Sequence, residues 1–303
     1  MAAADPIPPE HGTSSFRPPR PLWIAVATGA LIVLAAGLRI GMPIYQQRAV
    51  IRLIENVGGS VNVRRANLKW LAGSAFDVAG PVTSVNLTEV NGADAALSQI
   101  SILRELKYLQ LSNSDVTDQG LSHLKHLRQL EYLSLYGTQV SDEGLSHLSD
   151  LTNLEFLIVS DTKMGDAGLA QLRNLTRLKR LQIGWTHVSD RGLSHFTELS
   201  QLWELSVGGT EVADDGLKQL PPLPNLRSLT LRATKVTDAG LKHLQAQVAL
   251  ESLDLDNTQI TDAGLGEIKT LANLKSLVLS RTRVTESGIA DLKMAMPGLE
   301  VVH

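Results

Sequence analysis

No cysteine occurs among the 303 residues, which excludes disulfides and thiolate metal sites and leaves the redox compartment open. Aromatic residues are scarce at 4%, twelve in all, so where they gather matters. Positive charge is not in excess: 28 Lys and Arg stand against 31 Asp and Glu, a net −3 that offers no basic field to nucleic acid. A Gly-rich phosphate loop, His-Glu-x-x-His, Gly-x-Ser-x-Gly and any paired His/Cys cluster are also missing. The chain therefore reads as non-enzymatic, with no cofactor, no metal and no small-molecule substrate expected, and catalysis would need a constellation scattered along it.

What is present is a period. Leu106, Leu130, Leu154, Leu178, Leu202, Leu226, Leu250 and Leu274 lie 24 residues apart. They open the phrase Leu-x-x-Leu-x-Leu/Val/Ile-x-x-Thr/Ser-x-Val-x-Asp-x-Gly-Leu, kept with single-residue exceptions. A fixed period of this length signifies a solenoid, which grows by addition and has no central core to saturate. Alternation of apolar residues at positions 1, 4 and 6 predicts a short strand in each unit, and a pair such as Leu121 and Leu124 predicts one short helix on the opposite side.

Ahead of the array, residues 1–21 are rich in Pro with little apolar surface, and read as a disordered tail. Residues 22–44 are apolar over a length that spans a bilayer as a helix, provided that Arg39 reaches the interface. The expectation is a single-pass N-terminal membrane anchor. Ala35-x-Gly37 keeps a cleaved signal open, and Arg17 and Arg20 before the span against Arg39, Arg48 and Arg52 after it leave the orientation open. Residues 45–59 have helical spacing that ends at Gly58-Gly59 and read as a stalk; 60–81 lack the repeat phrase and read as an N-terminal cap. The repeats run over 82–303: one degraded unit, eight regular units, and a terminal strand at 299–302 whose edge is open for contact.

Each column has a structural reading. The Thr column, Thr138 to Thr282 with Ser114 ahead of it, is expected to bond the backbone of its own turn and of the next coil. The Asp column, Asp118 to Asp262 with Glu286 after it, is expected to cap the helix that follows. The Gly column, Gly120 to Gly288, is expected to allow close backbone approach between coils. His123, His147, His195 and His243 share one helix-side column, but Gln171, Gln219 and Glu267 fill it elsewhere, which fits a solvated face better than a metal site.

Residues 82–303 resemble leucine-rich-repeat proteins, and Val-Thr-Asp-x-Gly-Leu, as in Val116–Leu121 and Val236–Leu241, is most similar to repeats found beside F-box domains, where Cys holds the place taken here by Thr. With the tail and apolar span, the chain looks like a membrane-anchored bacterial member of that group. The resemblance implies an α/β horseshoe with a parallel concave sheet and convex helices, acting as a protein-protein interaction scaffold. Self-association as a structural surface protein is the alternative, and an F-box-like ubiquitin-ligase receptor a remoter one, because no adaptor-binding domain follows the apolar span. Strands about 4.8 Å apart backed by helices needing about 10 Å turn the variable strand positions inward. On that face fall five of the twelve aromatics: Tyr108, Tyr132, Tyr136, Phe156 and Trp185. With Ile158, and with Arg180, Glu204 and Arg232 along the rim, they form the expected protein-binding patch.

Overall fold

The computed structural model describes residues 46–65 and 79–303. The tail 1–21 and the apolar span 22–44 lie outside the described residues, as does much of the 60–81 cap. Among the described residues no helix is long and apolar enough to cross a membrane. Residues 47–303 form one compact unit.

Its sheet has eleven strands, in sequence order: β1 Ser60–Arg65, β2 Ala79–Asn86, β3 Tyr108–Gln110, β4 Tyr132–Ser134, β5 Phe156–Ile158, β6 Arg180–Gln182, β7 Glu204–Ser206, β8 Ser228–Thr230, β9 Ser252–Asp254, β10 Ser276–Val278 and β11 Glu300–Val302. From β2 onward all neighbours are parallel and each residue pairs with the one 24 positions later, so the sequence period is the strand register. The extra residue before Leu299 is absorbed ahead of β11, since Leu277 still pairs with Val301. β1 runs antiparallel to β2 and closes the N-terminal edge.

The core is a stack of identical layers. In the coil that begins at Leu106, Leu106, Leu109, Leu111, Val116, Leu121, Leu124 and Leu127 are all fully buried, each stabilising by roughly 2 kcal/mol. Stability therefore accumulates coil by coil rather than around one centre. Residues 46–56, expected as part of a stalk, are helical, and Val50 and Ile54 are buried in the same core. The helix stops where Gly58 takes a left-handed φ of 91°, with the Gly59 amide donating to the Ile54 carbonyl at 2.8 Å and the Gly58 amide to that of Glu55 at 3.1 Å.

Two column readings need correction, and a third is sharpened. Each hydroxyl of the Thr column donates to the carbonyl three residues back in its own turn, from Ser114 to Leu111 at 2.6 Å through Thr282 to Leu279 at 2.6 Å, and none bonds to the next coil. Its reach is too short, and backbone already joins the coils there. The helix is capped not by the Asp but by the residue before it: the Thr117 hydroxyl accepts from the Gln119 amide at 3.3 Å, and Ser141 does the same for Glu143.

The Asp carboxylates instead reach across to the next coil. Asp118 accepts the Ser141 amide at 2.8 Å and the Ser141 hydroxyl at 2.6 Å. The amide bond recurs, 23 residues on, for Asp94, Asp142, Asp166, Asp190, Asp214, Asp238 and Asp262. At Gly165 and Ala213 the hydroxyl is missing and only the amide bond is left. Asp262, which accepts the amide and then the hydroxyl of Thr285, is held below the ordinary aspartate pKa.

The Gly column makes room for this ladder: a Cβ built at Gly168, Gly192 or Gly216 would fall 2.5 Å from Oδ1 of Asp142, Asp166 or Asp190. The carboxylate comes nearest, and the backbone of the preceding coil is close as well, with the Asp118 Cα 3.1 Å from a Cβ at Gly144 and the Asp214 Cα 3.2 Å from one at Gly240. Thr, Asp and Gly together form one inter-coil joint repeated along the array. Glu286, which stands in this column in the last regular unit, has its carboxylate 3.5 Å from Nδ1 of His303.

Candidate functional site

Each short strand ends in a turn whose eighth repeat position has positive φ: Glu89, Asn113, Gly137, Asp161, Trp185, Gly209, Ala233, Asn257 and Arg281. This conformation points the amide at the next coil, as with Asn113 to the Tyr136 carbonyl at 2.7 Å and Trp185 to that of Gly208 at 2.8 Å. For a side-chain-bearing residue it is unfavourable by roughly 1–2 kcal/mol, which Asn, Asp and Gly tolerate best. Trp185 holds φ 58° without that tolerance. Its indole is 55% exposed and lies on Gly209, where a Cβ would meet the ring at under 3 Å.

The third position of successive coils forms a continuous ladder over five strands, Tyr108, Tyr132, Phe156, Arg180 and Glu204 pairing in register. The Tyr108 and Tyr132 rings are 6.3 Å apart and tilted by 34°, and those of Tyr132 and Phe156 are 6.5 Å apart and tilted by 36°. The Arg180 guanidinium then sits 5.9 Å from the Phe156 ring centre. Its Nε lies 2.7 Å from Oε2 of Glu204, an ion-pair separation without the alignment of a hydrogen bond, and Gln182 donates to Oε1 of Glu204 at 3.0 Å.

Aromatic stacking, cation–π contact and ion pair thus hold one row in place before anything binds. Ile158 is half-buried beside it on β5, between Ser134 and Gln182. Tyr136 follows β4 and is 42% exposed; Tyr108, at 47%, opens the row. Arg232 is exposed, and its side chain lies over Gly208, so it and Trp185 lean on the same glycine pair. Tyr136 has no ring contact with Trp185.

Two features escaped the sequence reading. Trp203, at the second position of its coil, lies outside the strand positions that signal the face, yet its ring centre is 5.0 Å from the Arg180 guanidinium. A signal existed in the offset of 23 residues, which places a second-position residue against the third position of the preceding coil. Asp256 and Arg281 form a pair: Arg281 Nε donates to Asp256 Oδ1 at 2.9 Å and Nη2 makes a second bond to Oδ2. Asp256 is buried, and the Arg281 bonds hold its carboxyl below the ordinary aspartate pKa. Among the described residues no three His, Asp or Glu are placed to hold a metal ion.

A family model described as a leucine-rich repeat region matches residues 82–280. The chain belongs to the leucine-rich-repeat family. Such domains generally mediate protein–protein interaction and are typically not enzymes. No curated protein matches this leucine-rich-repeat chain.

Many solved structures do match it. An internalin (inlF) from Listeria monocytogenes is 28% identical with a TM-score of 0.56, over 68% of this chain and 56% of that one. The array thus matches little more than half of that internalin's length. An internalin C2 (inlC2) from the same organism is 22% identical with a TM-score of 0.47, over 66% and 80% of the two chains. A plant peptide hormone receptor, RGFR1 in complex with RGF2, is 17% identical with a TM-score of 0.47, over 68% and 33%.

Proposed function

We propose that this leucine-rich-repeat chain is a non-enzymatic, membrane-anchored protein-binding module, whose partner docks on the concave face through Tyr108, Tyr132, Tyr136, Phe156, Ile158 and Trp185, bordered by Arg180, Glu204 and Arg232. One observation carries the reading. Trp185 is a large apolar side chain kept at a positive-φ turn position and more than half exposed, which folding of the array does not require. Strain and exposure of this kind are retained where a partner uses them. The test is capture of a binding partner by the full chain in nonionic detergent, compared with a variant carrying Tyr132→Ala, Tyr136→Ala and Trp185→Ala. The variant is expected to lose capture, and equal capture would contradict the reading. Should the captured protein be the chain itself, the alternative of self-association through the outer edge of β11 would be favoured.

Residues 22–44 are proposed as the single-pass anchor, on the strength of their length and apolarity in the sequence. The full chain should stay with membranes through alkaline carbonate extraction, and deletion of 22–44 should release it; a full chain extracted by carbonate would contradict the anchor. The repeats are further read as the type found beside F-box domains, with Thr for Cys. That likeness concerns how the coil is built and carries no ligase activity.

A further inference from the structure

Along the third-position row the side chains change abruptly. After Tyr108, Tyr132, Phe156, Arg180 and Glu204 come Ser228, Ser252 and Ser276, three small residues in succession. The space that larger side chains occupy in the first coils is left open in the later ones. Over Ser228 and Ser252 this leaves a groove of about 630 Å³, lined also by Lys179, Trp203, Arg227 and Glu251. It adjoins the aromatic ladder, because Trp203 is the residue on which Arg180 stacks.

The charges in the groove are not equally available. Lys179 is tied to Glu155 at 2.7 Å, a bond that holds the Glu155 carboxyl below the ordinary range, and Glu251 is tied to Lys275 at 2.7 Å with the same result. Arg227 is exposed, and among the described residues it forms no ion pair; its field reaches Glu251 only as a minor influence. The lining carries two cations, Lys179 and Arg227, against one anion, Glu251, in a chain whose net charge is −3. An unengaged guanidinium beside a half-buried indole suits a carboxylate attached to an apolar or aromatic body: the fork takes the two oxygens and the ring face takes the carbon skeleton. The small serines leave room for the main chain that bears it.

We infer that this groove is a second subsite of the protein-binding surface and receives an acidic side chain, Asp or Glu next to an apolar or aromatic residue, on an extended segment of the partner. The inference rests on the reading of the concave face as protein-binding, and it adds the chemistry of what is bound. Arg227 supplies the charge, Trp203 the stacking surface, and Ser228 and Ser252 the space.

The probe is a random dodecapeptide library displayed on phage, panned against the full chain in nonionic detergent. Selected peptides should be enriched in Asp or Glu adjoining an aromatic or apolar residue. Measured by fluorescence polarisation, Arg227→Gln and Trp203→Ala should each weaken a selected peptide about tenfold or more. Replacing the peptide's acid by its amide should weaken binding to the native chain equally, and should make little further difference to Arg227→Gln. An empty selection, peptides without acidic enrichment, or binding by Arg227→Gln within about twofold of the native chain would each overturn the groove.

The two proposals fail separately. If the triple aromatic variant loses its partner while selection shows no acidic bias, the face binds protein and the groove inference is wrong. If peptides depend on Arg227 while that variant captures its partner as the native chain does, the groove stands and the aromatic patch does not.

Discussion

Replacing Gly192 with alanine is expected to destabilise the array by about 3 kcal/mol, even though alanine is the better helix former by roughly 1 kcal/mol. The reason is the joint between coils. A Cβ at this position would fall 2.5 Å from Oδ1 of Asp166 and 3.0 Å from Cγ1 of Val188, well inside contact distance. Val188 is fully buried in the core, so the carboxylate is the group that must move. Moving it breaks the bonds that Asp166 accepts from the Ser189 amide at 2.8 Å and the Ser189 hydroxyl at 2.6 Å, each charge-assisted and worth more than a neutral hydrogen bond.

Urea unfolding followed by circular dichroism would measure the effect. The mechanism makes a sharper statement about a pair of substitutions. Asp166→Ala alone should destabilise by about 1–2 kcal/mol, and the double variant Asp166→Ala with Gly192→Ala should fall short of the sum by at least about 1 kcal/mol, because the clash has gone. Strict additivity would show that the glycine column serves something other than the carboxylate ladder.

Gln247→Leu, which restores the residue type of its column, is expected to destabilise by about 2 kcal/mol. The other members of that column, Leu103, Leu127, Leu151, Leu175, Leu199, Leu223 and Leu271, are all buried aliphatics, and Gln247 is buried with them at 1% exposure. Most of these residues donate their amide to the carbonyl three back, as Leu199 does to Phe196 at 2.9 Å. In the preceding coil the short helix Asp214–Gln219 ends in an extended Leu220 ahead of Pro221, Pro222 and Pro224, and the Leu223 amide lacks that partner.

Gln247 supplies what the prolines took away. Its Oε1 accepts the Leu223 amide at 2.9 Å and its Nε2 donates to the Pro221 carbonyl at 3.1 Å. Leucine would orphan both groups, at about 1–3 kcal/mol each, against the smaller gain of burying two methyl groups in place of an amide. A variant at least as stable as the native chain in the same urea titration would contradict this role.

Most of the scaffold was legible in the sequence because its period is the strand register. Leu109 pairs with Leu133 and Leu133 with Leu157 for the same reason that they recur. The helix stop at Gly58-Gly59 was a local signal of a familiar kind. What was misread lay between coils. Asp118 stands beside a helix start, and local rules make it a cap; its true partner is Ser141, 23 residues away and adjacent only once the coils stack. Thr117, one residue earlier, was the cap the same rules should have found.

The face proposed to bind a partner was legible in part. Variable strand positions identified Tyr108, Tyr132 and Phe156, and the ladder they form follows from the register. The positive φ of Trp185 was not legible, because the turn that imposes it is filled by Asn, Gly, Asp, Ala and Arg in other coils and carries no uniform residue type. Trp203 was missed because it reaches the face from outside the strand, through Arg180.

The columns that repeat build the array, and the residues that do not repeat are proposed to give it a partner; one variant separates the two. With Tyr132, Tyr136 and Trp185 all replaced by alanine, the urea midpoint and the partner capture of the full chain should be measured together. None of the three side chains is in the leucine core, and alanine at position 185 bears the same positive-φ cost as tryptophan, so the midpoint should fall only by the small amount due to the ring contacts of Tyr132 with Tyr108 and Phe156. Capture should be lost. A variant that keeps its partner, or one that loses it only because the array has unfolded, would contradict the division of labour between repeating and non-repeating residues.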